Sequence, residues 1–220
     1  MNGGIHFPRH GQSMSDVGLG TIPEDGDIPL TALGRQQARQ FAASLGAAPD
    51  LIFVSPRRRA LETAAPIHAR FPDTPSTVRP HLTEIVNFSL ARFAGASFVE
   101  RGRHELRYWA TCDPDYCDGD DAESFVAFVE RVKRELAFLA ALRAGDVLVV
   151  CHGFFINMVR MLSADPRATA RDLMPRFRPA WHDNPVPNTG VVTFDVENLQ
   201  RLCRTVRDPG KPGRRQPLTF

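Results

Sequence analysis

Val147-Leu148-Val149-Val150, four apolar residues in a row, is the feature that most constrains how this chain can fold. A strand with one wet face alternates apolar and polar residues, so an unbroken apolar run reads as a strand covered on both sides. Such strands belong to largely parallel sheets with helices above and below. "DLIFVSP" (50–56) and "VVTFDV" (191–196) are further β-rich runs, and "GIHF" near the start supplies a fourth. Helical patterns lie between them. Ala38, Phe41, Ala42 and Leu45 share one face, with Thr31 placed to cap the start and Gly46 to end the helix. Ser55 and Pro56 are expected as N-cap and first position of a second helix, which Pro66 should kink or end. Phe125, Phe128, Val129, Val132, Leu136 and Leu139 mark a third, and a fourth should follow Gly153. The expectation is an α/β three-layer sandwich whose mostly parallel central sheet is flanked by helices.

At 220 residues the chain suits a single domain, expected over 1–205. Residues 85–121 show no clear periodicity and are expected to be an inserted cap or long loop, and 206–220 a Pro/Gly/Arg-rich tail. A net charge of +2, with no basic block interleaved with aromatics, argues against nucleic acid as a partner. No export signal and no apolar run of about 18 residues stands out, so neither membrane association nor export is expected, and the cytoplasm is the expected location. Cys112, Cys117, Cys151 and Cys203 form no CxxC pair and are expected to be reduced thiols. A homodimer is left open.

In open α/β sheets ligands sit beyond the carboxyl ends of the parallel strands. Three polar clusters fall there: Arg9-His10-Gly11, Ser55 leading into Arg57-Arg58-Arg59, and His152-Gly153. Guanidinium groups grip phosphate oxygens in bidentate fashion and stay charged, while a neutral imidazole can attack phosphorus. A carboxylic acid could protonate the leaving oxygen. Two histidines and a glutamate could instead ligate a metal, although arginines beside a dication would repel it. Phosphate transfer is the better reading, with no cofactor and no metal.

The order "PRHGQS", "DIPLTALGRQQA", "VSPRRRALETA", "LTEI" and "VVCHG" resembles the histidine phosphatase superfamily, also called the phosphoglycerate-mutase-like fold. The resemblance implies that His10 is the nucleophile that becomes phosphohistidine, and that Arg9 holds the phosphoryl group beside it. It further implies Arg59 as the pocket arginine, His152 as the second pocket histidine, and Glu84 as the acid that later activates water. Gly11, Gln12, Ser13 and Gly153 complete the expected substrate-binding set, although Gln12 and Ser13 could equally cap a turn. Arg57 and Arg58 are expected to be solvated or capping. Asn188 reads as a turn residue that could also orient the pocket. His81, His104 and His182 read as ordinary loop residues.

The chain also departs from that pattern. Pro8 replaces an aliphatic residue and should interrupt the first strand's ladder or leave its missing donor where no partner waits. Asp16 places a negative charge near the phosphate pocket, either turned away or paired with an arginine. The stretch after Glu84 reads "IVNFS", without the Arg-His-Tyr-Gly of the glycolytic mutases. Expected, therefore, is a phosphomonoester hydrolase acting on a small phosphorylated substrate, with a phosphoglycerate-type phosphomutase and a non-catalytic phospho-ligand-binding module as the rival readings.

Overall fold

The computed structural model describes residues 4–18, 21 and 27–200. The apolar run is strand β4 (Val147–Val150), and it lies in the middle of a five-stranded sheet. The other strands are β1 (Gly4–Pro8), β2 (Leu51–Val54), β3 (Ser76–Val78) and β5 (Val191–Asp195), in the order β3-β2-β4-β1-β5. β1, β2, β3 and β4 run parallel, and only β5 is antiparallel, pairing with β1 at the edge.

The period-2 alternation of β4 explains the layers. Val147 and Val149 face one apolar cluster, built with α5 (Phe125–Ala140), α6 (Gly153–Ala164) and α7 (Ala170–Asp183). Leu148 and Val150 face the opposite cluster, where Phe41 and Ala42 of α1 (Ala32–Ser44) meet Ala60, Ala64 and Ile67 of α2 (Arg58–Arg70). The three-layer expectation therefore holds, and all four β4 side chains are buried.

Several local expectations need correction. Thr31 does cap α1, accepting from Gly34 N at 3.0 Å, but the helix stops at Ser44, with Leu45 extended, before it reaches Gly46. α2 starts at Arg58 rather than after Ser55; the Ser55 hydroxyl accepts from Arg57 N at 3.4 Å and lies 2.7 Å from His152 Nε2 at the rim. Pro66 sits inside α2, which continues to Arg70. The proline removes one backbone bond there, and the buried Ala64 and Ile67 on either side keep the segment packed. Pro8 stays within β1, opposite Val191, and its carbonyl accepts from Cys151 N at 3.1 Å, so only its own donor is missing from the ladder.

Residues 85–121 are more ordered than a loop. They hold the short α3 (Leu90–Phe93) and the longer α4 (Phe98–Thr111), the latter opened by a capping box between Ser97 and Glu100. The periodicity is weak because α4 buries only Phe98 and Tyr108, while Val99 and Leu106 point to solvent. α7, also unforeseen, carries Pro175 and Pro179, which read as helix breakers, yet Leu173, Met174 and Phe177 give it a fully apolar face. β3 was equally invisible: three exposed residues at a sheet edge leave no apolar pattern. The 206–220 tail and Cys203 lie outside the described residues. Among the described residues no helix is long and apolar enough to cross a membrane.

One ionic contact lies under the sheet. Glu135 of α5 is 1% exposed, and both its oxygens accept from Arg79, whose guanidinium lies 3.5 Å from the Phe138 ring centroid. Removing one partner of such a pair leaves a buried charge uncompensated. Arg79→Ala is accordingly expected to lower the unfolding free energy by about 3–5 kcal/mol, read from urea denaturation. Arg79→Ala with Glu135→Leu should recover most of the loss.

Candidate active site

The sequence clusters meet where the parallel ladder ends. His10 N donates to Cys151 O at 3.0 Å, which carries the β1/β4 pairing one step beyond the strands and sets His10 beside His152. Their rings stand 5.2 Å apart, centroid to centroid, at 62°. α2 approaches the same point. Gly11 N donates to Thr63 Oγ1 at 3.0 Å, and that hydroxyl donates to Arg59 O at 2.6 Å, so one threonine ties the histidine loop to the turn carrying Arg59. Gly11 is needed for this close approach: a Cβ there would meet Gly34 O at 2.5 Å.

The partners of His10 settle its tautomer. Gly11 O, 2.7 Å from Nδ1, can only accept, so Nδ1 carries the proton. Arg59 Nε, 3.1 Å from Nε2, can only donate, so Nε2 presents its lone pair. Burial, then the charge of Arg59 and more weakly that of Arg9, pushes the His10 pKa down to about 3, against opposing contributions from Asp16 and the Gly11 carbonyl. The imidazole is therefore neutral at neutral pH, as a nucleophile must be.

His152 is also held neutral, first by burial and then by Arg59 and His10. Its Nε2 lies 2.7 Å from Ser55 Oγ, while Nδ1 is buried with no partner. Arg9 donates to Val186 O at 2.8 Å and pairs with Asp16; its Nε is a buried donor without a partner. Asp16 is thus paired rather than turned away. Burial disfavours its charge, but His10, Arg9 and hydrogen bonds from Ser13 prevail and hold its pKa below the usual value.

Glu84 caps α6 from a distance. His152, the N-cap residue, gives no side-chain bond, and the Glu84 carboxylate instead accepts from Phe154 N at 3.2 Å and Phe155 N at 3.1 Å. Burial raises its pKa despite Arg59, Arg9 and those two N–H groups. A carboxyl in this position is partly protonated nearer neutrality than a free one. Gly153 lets α6 begin beneath the Trp181 ring, which a Cβ would meet at 2.5 Å.

Arg9, His10, Arg59, Glu84, His152 and Gly153 are all brought to this rim. Gln12 and Ser13 are spent on the loop itself: Gln12 Oε1 accepts from Thr31 Oγ1 at 2.8 Å, and Ser13 Oγ donates to Asp16 at 2.6 Å. Of the neighbouring arginines, Arg58 is exposed and pairs with Glu62, whereas Arg57 lines a small cavity with Arg59 and Glu84. Asn188 combines both readings: it sits in a turn closed by Gly190 N and Pro187 O at 2.9 Å, and its Nδ2 donates to His10 O at 3.2 Å. The next residue, Thr189, is held at φ 60°, a left-handed conformation costly for a β-branched side chain. His81 lies within a short 3-10 turn (Pro80–Leu82), and His104 and His182 lie on α4 and α7, not in loops.

The walls draw on 85–121 and 164–187, the stretches whose basic and aromatic residues, Arg101 and Trp181 among them, the sequence marks for substrate specificity, although it does not show the helices that carry them. A cavity of about 330 Å³ opens over the rim, lined among others by Arg9, Glu84, Asn87, Arg101, Phe154 and Trp181. Trp181 lies 5.3 Å from the Arg9 guanidinium. α4 and α7 supply Arg101 and Trp181, and neither helix had an apolar pattern legible in the sequence.

The family model of the histidine phosphatase superfamily (branch 1) matches residues 5–208. The chain belongs to this family. Two curated relatives match over shorter stretches. A probable phosphatase of Schizosaccharomyces pombe is 45% identical over 62 residues, covering 27% of this chain and 29% of the relative. An uncharacterized protein of Mycobacterium tuberculosis is 39% identical over 95 residues, 41% of this chain and 45% of the relative. The matches thus span less than half the length of either relative. Among solved structures, a mycobacterial glucosyl-3-phosphoglycerate phosphatase aligns with TM-score 0.65 and 23% identity over 86% of this chain and 88% of its own. A putative alpha-ribazole-5'-P phosphatase from Escherichia coli aligns with TM-score 0.63 and 24% identity over 88% and 90%. They share the histidine phosphatase fold seen here.

The depressed histidine has a consequence for stability. His10 is neutral when folded down to about pH 3, whereas in the unfolded chain it takes up a proton near 6.5. Its contribution is therefore complete above pH 6.5 and is lost as pH falls from there toward 3. By pH 5 the loss from this group should be about 2 kcal/mol. The denaturation midpoint should fall between pH 7 and 5, and fall less in His10→Gln; equal slopes in the two proteins would contradict the buried neutral imidazole.

Proposed function

We propose that the protein hydrolyses phosphomonoesters of small metabolites through a phosphohistidine formed on His10, with no metal. The observation that carries this reading is the forced tautomer of His10, whose Nε2 lone pair faces Arg59, a residue that lines the small cavity with Glu84. Membership of a phosphatase family supports it, as do the buried nitrogens of Arg9 and His152 that lack hydrogen-bond partners. A phosphoryl group entering here would satisfy them with its equatorial oxygens.

In the first step Arg59 transfers its N–H from His10 Nε2 to a phosphate oxygen. The freed lone pair attacks phosphorus as the P–O bond to the alcohol breaks. Glu84, its pKa raised by burial, gives its proton to the departing oxygen and becomes a carboxylate stabilised by the N-terminus of α6. In the second step that carboxylate takes a proton from water, whose oxygen attacks phosphorus. The P–N bond breaks, and neutral His10 and protonated Glu84 are restored. Arg9 and Arg59 supply the positive charge that a metal would otherwise bring.

Three measurements test this. Acid-labile phosphate should appear on the wild type during turnover of para-nitrophenyl phosphate and be absent in His10→Ala, whose phosphate release should fall by at least about 10³-fold. Glu84→Gln should slow alkyl phosphates by about 10²-fold or more but aryl phosphates much less, since nitrophenolate leaves without a proton. A chelator should leave the rate unchanged. Activity surviving in His10→Ala, or activity lost to a chelator and restored by a metal, would sink the mechanism. An isomerised phosphate ester forming faster than free phosphate would instead establish a mutase.

A further inference from the structure

The proton donor of the proposed reaction sits on a stretch with no ladder of its own. Residues 83–89 form neither helix nor strand, and Glu84 lies just past the short turn Pro80–Leu82. Partly buried backbone outside any ladder must find its hydrogen-bond partners elsewhere. Here one ion pair supplies them. Arg131 of α5 donates through Nη1 to His81 O at 2.7 Å and to Thr83 O at 2.9 Å. Its Nε donates to Glu123 Oε2 at 3.1 Å, and Nη2 pairs with the other oxygen of the same carboxylate. Glu123 in turn accepts from Val86 N at 3.3 Å through Oε1, and its own N–H donates to Val86 O at 2.7 Å. The chain is thus gripped on both sides of Glu84.

The local sequence explains why these two residues meet. Glu123 directly precedes Ser124, the N-cap of α5, and Arg131 lies two turns along that helix, on the same face. Arg131 is 8% exposed, with its guanidinium 5.2 Å from the Phe128 ring centroid. Buried ion pairs add little net stability over apolar replacements, so the distinctive contribution of this one is geometric. Nor does it act on Glu84 mainly by its charge: the cations that most lower the Glu84 pKa are Arg59 and then Arg9. The route from Arg131 and Glu123 to Glu84 runs through the backbone. At its end the Glu84 carboxylate must reach Phe154 N and Phe155 N while lining the cavity. A proton donor works only within hydrogen-bond reach of the leaving oxygen, and a misplacement of about 1 Å can cost about 10²-fold in rate.

We infer that Glu123 and Arg131 are positioning residues for Glu84: the pair fixes the backbone from His81 to Val86 so that the carboxyl meets the N-terminus of α6 and the cavity together. This rests on the reading of Glu84 as proton donor and adds the residues that hold it there.

Arg131→Lys is the main test, because an ammonium cannot serve a carboxylate and two carbonyls in the fixed fork of a guanidinium. Its kcat/KM for glycerol 3-phosphate, an alkyl ester, should fall by about tenfold or more, and that for para-nitrophenyl phosphate by less than about twofold. This ratio reports the first transfer, in which only the alkyl leaving group needs a proton. Glu123→Gln should show the same selective loss. In a Glu84→Gln background, Arg131→Lys should cost less than about twofold on either ester, since the group it positions is already gone. Leu139→Ala, a core truncation further along α5, should lower both esters alike or neither. The Glu84 carboxyl, followed by 13C NMR and assigned with Glu84→Gln, should titrate above the usual glutamate range in the wild type and move back toward it in Arg131→Lys. Equal losses on the two esters, a full loss retained in Glu84→Gln, a selective loss reproduced by Leu139→Ala, or an unmoved Glu84 titration overturns the positioning role. If the wild type hydrolyses neither ester, or Glu84→Gln does not distinguish them, the proton-donor reading falls, and the Glu84 titration alone decides whether the pair holds the carboxyl.

Discussion

The hydrogen bond from Arg59 Nε to His10 Nε2 is the contact around which this structure is arranged. A guanidinium can only donate, so the histidine must offer a lone pair at that nitrogen, and the Gly11 carbonyl on the other side holds the single ring proton. The two partners come from different parts of the chain. Arg59 arrives on the first turn of α2, and His10 one residue past the bridge that ends the β1/β4 ladder. Thr63 links them by accepting from Gly11 N and donating to Arg59 O. The proposed nucleophile is thus held neutral by backbone geometry and a permanent charge, and would need no base to deprotonate it.

Around that contact the charges are balanced unevenly, and the imbalance is informative. Asp16 and the Asn188 turn restrain Arg9, leaving its Nε without an acceptor. Glu84 fills the vacant cap position of α6, which allows a carboxyl that burial would neutralise to tolerate its charge once it has lost a proton. Thr189 bears the backbone strain of the turn that sets Asn188 against His10 O. The groups left unsatisfied, on Arg9, Asn87 and His152, cluster at or beside the cavity, apart from Tyr108 in the cap. Elsewhere the buried charges, such as Glu135 with Arg79, are closed pairs.

The layered fold was legible because β4 is apolar at consecutive positions, and because α1 and α5 each show one apolar stripe. What escaped notice had a physical reason in each case. α4 turns Arg101 and Glu105 toward a cavity and Leu106 toward water, inverting the pattern by which helices are recognised. α7 contains two prolines whose local cost is outweighed by burying Leu173, Met174 and Phe177. Ser55 reads as an N-cap in one dimension, but in three it faces His152.

By itself, the sequence determined the chemical inventory and its address. Strand-end residues in a parallel sheet converge on one rim whatever the details of packing, so Arg9-His10, the run Arg57-Arg58-Arg59 and His152 could be placed together from the strand pattern, and the family resemblance singled out Arg59. Only the tertiary structure decided the states and surroundings of those groups. Which nitrogen of His10 bears the proton, how far burial lowers its pKa, and whether Asp16 faces Arg9 all depend on how the folded chain brings these groups together. Electrostatic energies at a site are set by distance and exclusion of water, and neither is written along the chain.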